Sequence, residues 1–435
     1  MTESSRIPIR VALLGCGTVG GGVIRLLEQN AAHLASRVGA PLTITRVLVR
    51  DRERARVPEC RPEWLTTDPE LALRDADVVV ELLGGEEPAR TLIERAIAAR
   101  QGIVTANKLM LARHGPALLA RAMEADVDLA FEASVGGGIP VIRTLREALT
   151  SDSVLSVHAI LNGTCNYILT RMRDERLPLE VVLADAQRLG FAEAEPSLDV
   201  DGHDAAQKLI VLGMLAFGAE VGEAEVPVEG IRAIDALDFR FAEHFGYTIK
   251  HLAIGRDLGE RVALRVHPTL VKRGSVLASV DGVLNGVFIV GRALGPCLLV
   301  GRGAGDLPTA VSVVADLVDV ARSKLEGTPG LATRAVKFRR RPVVPLDELE
   351  SRHYLRFDVA DGPGVLGVIS GALGRHEVSI EQMLQEGRGG SDDETVPVVI
   401  MTHATREGRL RAALDEIARA PFMRARPRLI RIEDV

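Results

Sequence analysis

The stretch Ile9-Arg10-Val11-Ala12-Leu13-Leu14 followed by Gly15-Cys16-Gly17-Thr18-Val19-Gly20 decides the fold. Residues 9–14 read as a buried parallel strand. The glycines satisfy G-x-G-x-x-G directly behind it, and a helical pattern runs from about Val19 to Leu34. In that setting the first glycine permits a tight turn and the second lets backbone approach a pyrophosphate. The third lets helix and strand pack closely. The first helical turn then offers free N–H groups and a positive dipole end to phosphates. Gly15, Gly17, Thr18, Val19 and Gly20 are the expected dinucleotide-binding turn. The plain alternative is a glycine turn needed only for packing.

Outward from this turn, strands are expected at 42–49, 77–82, 102–105 and 127–131, with a helix over about 88–100. Strands alternating with helices imply an α/β fold, a Rossmann-type parallel sheet covered on both faces. Past about residue 145 the pattern becomes mixed α+β. Strands are expected at 154–161 and 261–271, with helices near 164–175, 178–189 and 203–216. Residues 306–325 return to an apolar helix that would pack back on the first unit. The expected division is 1–145 with 306–325 as the nucleotide-binding domain, 146–305 as an inserted domain, 326–351 as a linker, and 352–435 as a separate unit. That last unit reads βαββαβ, the order of ferredoxin-like folds. Within the linker the basic run Lys337-Phe338-Arg339-Arg340-Arg341 could be a nucleic-acid patch. A short charge run beside prolines is more often a solvated connector.

Bulk properties remove several function classes. A net charge of −6 gives no pull towards nucleic acid or anionic membrane. Aromatic residues at 3% are too sparse for base-stacking platforms. Cys16, Cys60, Cys165 and Cys297 form no C-x-x-C pair, which fits free thiols in a reducing compartment. Residues 1–10 are polar, and Asp281 and Asn285 interrupt the longest apolar stretch, so neither a signal peptide nor a membrane span is expected. A cytoplasmic protein follows, with no nucleic-acid or membrane partner.

The second strand runs into Val49-Arg50-Asp51. An acidic residue there would hold a ribose 2′-hydroxyl, and an arginine would suit a 2′-phosphate. Arg50 favours NADP, and Asp51 one residue on keeps NAD open.

Two lysines bring chemistry to this frame. Lys108 closes Val104-Thr105-Ala106-Asn107-Lys108, just past a strand's carboxyl end, where open α/β sheets hold ligands. Asp204 and Lys208 are four apart and share a helix face. Hydride addition to an aldehyde leaves an alkoxide that needs a proton. A lysine supplies it when desolvation or a nearby cation weakens its hold on that proton. The bland readings are a solvent-facing Lys108 and an ordinary surface ion pair. Glu132 follows a strand in the same way and precedes Gly136-Gly137-Gly138, whose carbonyls suit a hard cation. Its bland reading is a capping carboxylate. Cys165 as a thiol nucleophile lacks a histidine nearby in sequence.

Four stretches together resemble homoserine dehydrogenase. They are Thr105–Lys108, Phe131–Pro140, Leu161-Asn162-Gly163-Thr164-Cys165-Asn166-Tyr167-Ile168-Leu169, and Glu193 through Lys208. The resemblance spans 9 to about 325, and the 352–435 unit resembles an ACT domain. It implies reduction of L-aspartate 4-semialdehyde to L-homoserine with NADP or NAD, on the way to threonine and methionine. It further implies Lys208 as proton donor, with Lys108 beside nicotinamide and substrate. Glu193, Asp199, Asp204, Gly163 and Thr164 would bind substrate. Arg50, Thr105, Gly190 and Gly303 would join the glycine turn around the cofactor. Glu132 with the carbonyls of Val135, Gly137 and Ile139 would hold a monovalent cation, sodium or potassium. The inserted domain would bind substrate and dimerise a homodimer or homotetramer. Cys165 stands where threonine is common, Glu195 where aspartate is, and Phe191 where some members place tyrosine. The turn Asp361-Gly362-Pro363-Gly364 would place an amino-acid effector, with L-threonine the expected one. Two other readings stay open: a Rossmann dehydrogenase of a related amino acid, and a non-catalytic sensor of nucleotide and amino acid.

Overall fold

The computed structural model describes residues 7–193, 195–330, 337–386 and 395–435. Its first sheet has six strands: Ile9–Leu14, Leu42–Leu48, Leu65–Thr66, Val78–Glu81, Gly102–Thr105 and Leu129–Ala130. In chain order they lie 3-2-1-4-5-6, and each neighbouring pair is parallel. This is the doubly wound order, whose ligand crevice opens between the first and fourth strands at their carboxyl ends. Period-two alternation sets the two faces. Val11 and Leu13 pack with Ile24 and Leu317 on one side, and Ala12 and Leu14 with Leu92 and Ile93 on the other.

Two local expectations are revised. The helix read over 19–34 is two helices, Thr18–Gln29 and Ala31–Val38, broken at Asn30 with φ −112 and ψ 18. Asparagine competes with helical backbone for its own hydrogen bonds and favours such ends. The strand read over 127–131 is only Leu129–Ala130. The helix Asp306–Leu325 does pack back on the first sheet. A Cβ at Gly102 would fall 2.4 Å from Val320 Cγ1, and one at Gly22 would fall 2.8 Å from the Asp306 carbonyl oxygen.

The second sheet runs through the rest of the chain. Across it lie Gly295–Arg302, Leu284–Gly291, Val154–Ile160, Tyr247–Leu258, Arg261–Lys272, Arg428–Glu433, Glu350–Ala360, Thr395–Thr402 and Ile380–Gln385. The last four, with helices Val365–Arg375 and Glu407–Ile417, form the βαββαβ unit. It is joined to the central strands by backbone pairing. Arg428–Glu433 runs parallel to Arg261–Lys272, with Thr269 opposite Arg431 and Val271 opposite Glu433.

Part of the basic run is built into the fold. Arg339–Arg340 pairs with Ala219–Glu220. Arg341 is buried, donating to the Phe217 carbonyl at 2.8 Å and to Asp257 at 2.5 Å. Buried carbonyls without other donors attract such a fork. Residues 331–336 of the expected linker lie outside the described residues. No helix among the described residues is long and apolar enough to cross a membrane.

Candidate active site

The glycine turn has the shape its spacing requires. Gly15 sits at φ +101, where L side chains are strained, and a Cβ there would meet the Leu82 carbonyl oxygen at 2.8 Å. A Cβ at Gly20 would fall 2.4 Å from the Gly15 carbonyl oxygen. At Gly17 a Cβ would meet nothing within 4 Å. That open space leaves room for a phosphate group. Gly17 caps Thr18–Gln29 with no side-chain hydrogen bond, so the first N–H groups face outward without a protein partner from that cap. Val19 packs partly against the sheet core. A cavity of about 360 Å³ opens here, lined by Gly17, Thr18, Arg25, Arg54, Arg56 and Asp306 among others. The residues therefore fit a dinucleotide's phosphates. Arg50 lies exposed just beyond its strand. Arg54 and Arg56, which sequence reasoning did not single out, reach the turn itself. Arg56 donates to the carbonyls of Arg52 at 3.2 Å and Arg54 at 2.6 Å, which shapes that loop.

At the carboxyl ends of the next strands sits a buried carboxylate that sequence reasoning missed. Glu81 is fully buried and accepts the Thr105 hydroxyl at 2.6 Å and the Leu83 N–H at 2.8 Å. Burial pushes its pKa up, against the pull of those donors. Thr105 thus spends its hydroxyl inside the protein. Asn107 donates to the Gly85 carbonyl at 2.6 Å and caps the helix Lys108–Glu124 through the Met110 N–H. These bonds fix the loop 83–85 and aim Lys108 from a helix start.

The two lysines meet on one acid. Lys208 Nζ donates to Asp204 Oδ2 at 2.8 Å and to the Leu161 carbonyl at 2.8 Å. Lys108 Nζ lies 3.2 Å from Asp204 Oδ1. Asp204 is 4% exposed. Burial alone would raise its pKa, but the Lys208 and Lys108 charges and the hydrogen bonds outweigh it and lower the value to about 2. Lys108 belongs to the first unit and Lys208 to the helix His203–Phe217 of the second, so the carboxylate stitches the two across the cleft. The helices are close: a Cβ at Gly115 would fall 3.0 Å from Met214 Sδ.

Asn162 completes the cluster, and sequence reasoning gave it no role. Its Nδ2 donates to Asp199 at 2.8 Å and Asp204 at 2.9 Å, while its Oδ1 accepts the Cys165 N–H at 2.8 Å and caps Gly163–Glu175. An asparagine just before Gly163-Thr164 was the available signal. Asp199 has its pKa raised by burial and by the Asp204 charge. Cys165 is buried, donates to the Asp199 carbonyl at 3.2 Å, and is held protonated by burial. This arrangement argues against a thiolate nucleophile.

Gly163 and Thr164 open their helix beside this cluster, with the Thr164 hydroxyl on the Phe191 carbonyl at 2.7 Å. Gly190 has φ +77 and open space where a Cβ would stand. Glu193 is exposed, its carbonyl held by Gln187 Nε2 at 3.1 Å. Among the described residues, the bonds of the Asp204 cluster run to Asn162, Lys108 and Lys208 and none to the Glu193 carboxylate. Gly303 is wedged between loops: a Cβ there would overlap Asn285, and one at Gly137 would fall 2.6 Å from the Gly303 carbonyl.

The loop expected to hold a cation makes internal hydrogen bonds. The Glu132 carboxylate accepts the N–H groups of Ile142 at 2.9 Å and Arg143 at 2.8 Å, so its side chain acts as a cap. The Gly137 carbonyl accepts the Ser312 hydroxyl at 2.7 Å, and the Ile139 carbonyl accepts the Val141 N–H at 2.8 Å. Val135 is fully buried. Among the described residues no group of three or more His, Cys, Asp or Glu could hold a metal ion.

Comparison with known proteins agrees along the whole chain. The family model "Homoserine dehydrogenase" matches residues 140–318, its "NAD binding domain" model matches 15–132, and the ACT domain model matches 353–422. A homoserine dehydrogenase of Synechocystis sp. is 42% identical, covering 98% of this chain and 99% of that protein. One from Neisseria gonorrhoeae is 40% identical over 98% of this chain and 99% of its own length. The crystal structure of a homoserine dehydrogenase from Thiobacillus denitrificans superimposes with a TM-score of 0.92 at 41% identity, covering 98% of this chain and 99% of that one.

Proposed function

We propose, from the premise that the chain belongs to the homoserine dehydrogenase family, that it interconverts L-aspartate 4-semialdehyde and L-homoserine. The observation that carries this is the pair of ammonium groups on one buried carboxylate, at the carboxyl edge of a dinucleotide-binding sheet. A nicotinamide bound at that edge would supply or accept the hydride. Lys208 gives its proton to the aldehyde oxygen as the alcohol forms, and takes it back in the reverse direction. Asp204 and Asn162 hold the lysine in place, and Lys108 adds a positive charge where oxyanion character develops. Asp199, Glu193 and the helix start at Gly163 and Thr164 suit the two charged ends of an amino-acid substrate. The same reading places a sodium or potassium ion against Glu132 and the carbonyls of Val135, Gly137 and Ile139, two of which also accept from Ser312 and Val141, and no step depends on it. The test is nicotinamide reduction with L-homoserine by the purified protein. Absence of turnover with either cofactor, in either direction, sinks the reading.

NADP is the proposed preference, supported by Arg50 and by Arg54 and Arg56 in the cavity wall. A 2′-phosphate there would gain charge-assisted hydrogen bonds. Arg54→Ala should raise the KM for NADPH about tenfold and leave the KM for NADH nearly unchanged, a difference typical of one phosphate contact. Equal effects on both cofactors would count against it.

The C-terminal unit is proposed to bind L-threonine and inhibit. Its turn 361–364 leads into Val365–Arg375 through Gly364 at φ +91, without a side-chain cap. The helix start therefore suits a carboxylate. Millimolar threonine should weaken substrate binding by a coupling of about 1–3 kcal/mol. Flat calorimetry together with unchanged activity would exclude it. Assembly as a homodimer or homotetramer, and a cytoplasmic location, belong to the same proposal.

A further inference from the structure

The turn that presents Asp199 and Asp204 is clamped from outside its own helix. At Gly202, φ +89, a Cβ would fall 2.9 Å from Val228 Cγ1 and 3.1 Å from His251 Cε1. At Gly230 a Cβ would fall 2.3 Å from the Val200 carbonyl oxygen and 2.6 Å from Asp201 Cα. The Ile231 N–H donates to the Val200 carbonyl at 2.8 Å. Residues 228–231 therefore lie on 200–202 without room for one extra carbon. A shift of either segment moves the other.

Glu229 sits in the middle of this clamp. Its N–H donates to the Val266 carbonyl at 2.8 Å, and its carbonyl lies 3.0 Å from His251 Nε2. Its carboxylate accepts both terminal nitrogens of Arg431, at 2.9 and 2.8 Å. Arg431 lies on Arg428–Glu433, the strand that joins the C-terminal unit to the central sheet. It is 1% exposed, and its other edge grips Glu407 at 2.6 and 2.5 Å. A planar guanidinium held by two carboxylates and by strands on both sides is a stiff anchor.

We propose that Glu229 is a positioning residue for the substrate turn, tied by Arg431 to the C-terminal unit. The proposal rests on the active-site reading above. Movement of the final strand is carried through Glu229 and the clamp to Asp199, which holds Asn162, and to Asp204, which holds Asn162 and both lysines. The Glu229 side chain is 41% exposed, and the buried Arg431 keeps both bonds to Glu407 when Glu229 is neutralised, so the fold should survive the change. Its loss should show in the site before it shows in folding.

The test is Glu229→Gln in the full chain, with Glu229→Asp as the charge-retaining control. Two readouts are taken: steady-state kinetics, and hydrogen exchange of the peptide covering 197–208. The expected result is a KM for L-homoserine raised about five- to twentyfold with the cofactor KM unchanged. Exchange at the turn should be faster in Glu229→Gln and partly restored in Glu229→Asp. Exchange equal to wild type in Glu229→Gln overturns the proposal, whatever the kinetics. If wild type fails to turn over L-homoserine, the substrate reading fails, and the exchange experiment still decides this one.

Discussion

Lys208→Ala should lower kcat with L-homoserine by about 10²–10⁴, the usual weight of a positioned general acid–base. Cofactor binding should survive, because the glycine turn and its cavity do not include Lys208. Folding should survive too. Asp204 keeps Lys108 at 3.2 Å and Asn162 at 2.9 Å when Lys208 is shortened. Rates measured with both cofactors, beside fluorescence titration of bound NADPH, check the split. A variant with wild-type kcat would remove Lys208 from the chemistry. A variant that no longer binds NADPH would make the lysine structural instead.

Asp204→Asn should damage both stability and rate. The substitution keeps shape and removes the charge between two ammonium groups. Breaking a buried pair from one side typically costs about 3–5 kcal/mol, and the lower end applies here because Lys108 is 31% exposed and can turn to water. The pH dependence adds a sharper test. The Asp204 carboxyl is held at about 2, below its ordinary value near 4. A depressed carboxyl contributes stability that is fully present above that ordinary value and is lost as pH falls through about 2. Wild type should therefore lose melting temperature between roughly pH 4 and pH 2 more steeply than Asp204→Asn. Parallel acid limbs for the two proteins would show that the carboxylate does not carry this charge pairing.

What the sequence revealed follows the range of the forces involved. The glycine turn was readable because strand, turn and helix start are consecutive, and each glycine answers a local steric demand. Asp204 and Lys208 were readable because four residues make one helical turn. The meeting of Lys108 with Asp204 was not readable from spacing, and it needed the family resemblance to bring the residues together. Asn162 and Glu81 hold their partners through contacts between distant segments, so their types alone gave no role. The strand Tyr247–Leu258 went unread because most of it is buried on both faces, which erases the alternation that marks a half-buried strand. The helix Lys108–Glu124 carries Gly115 and Pro116 in its middle, a breaker pair that masks its period. The bonds from the Ile142 and Arg143 N–H groups to the Glu132 carboxylate were not readable either, because only the folded loop brings those donors to it.

The parallel pairing of Arg261–Lys272 with Arg428–Glu433 also sets an order of events in folding. Its two strands are separated by roughly 160 residues of chain, so the loop they close is long and its contact forms late. During synthesis Arg261–Lys272 emerges after Tyr247–Leu258, its partner on one edge, and after Pro227 and Glu229, which bond Val266 on the other, so that Thr269–Val271 is the stretch left bare for the final strand. Until the final strand arrives, that bare edge is a template for strands of other nascent chains. A ribosome that stalls after Leu325 and before the final strand would leave a protein whose nucleotide fold can be made and whose central sheet is still adhesive.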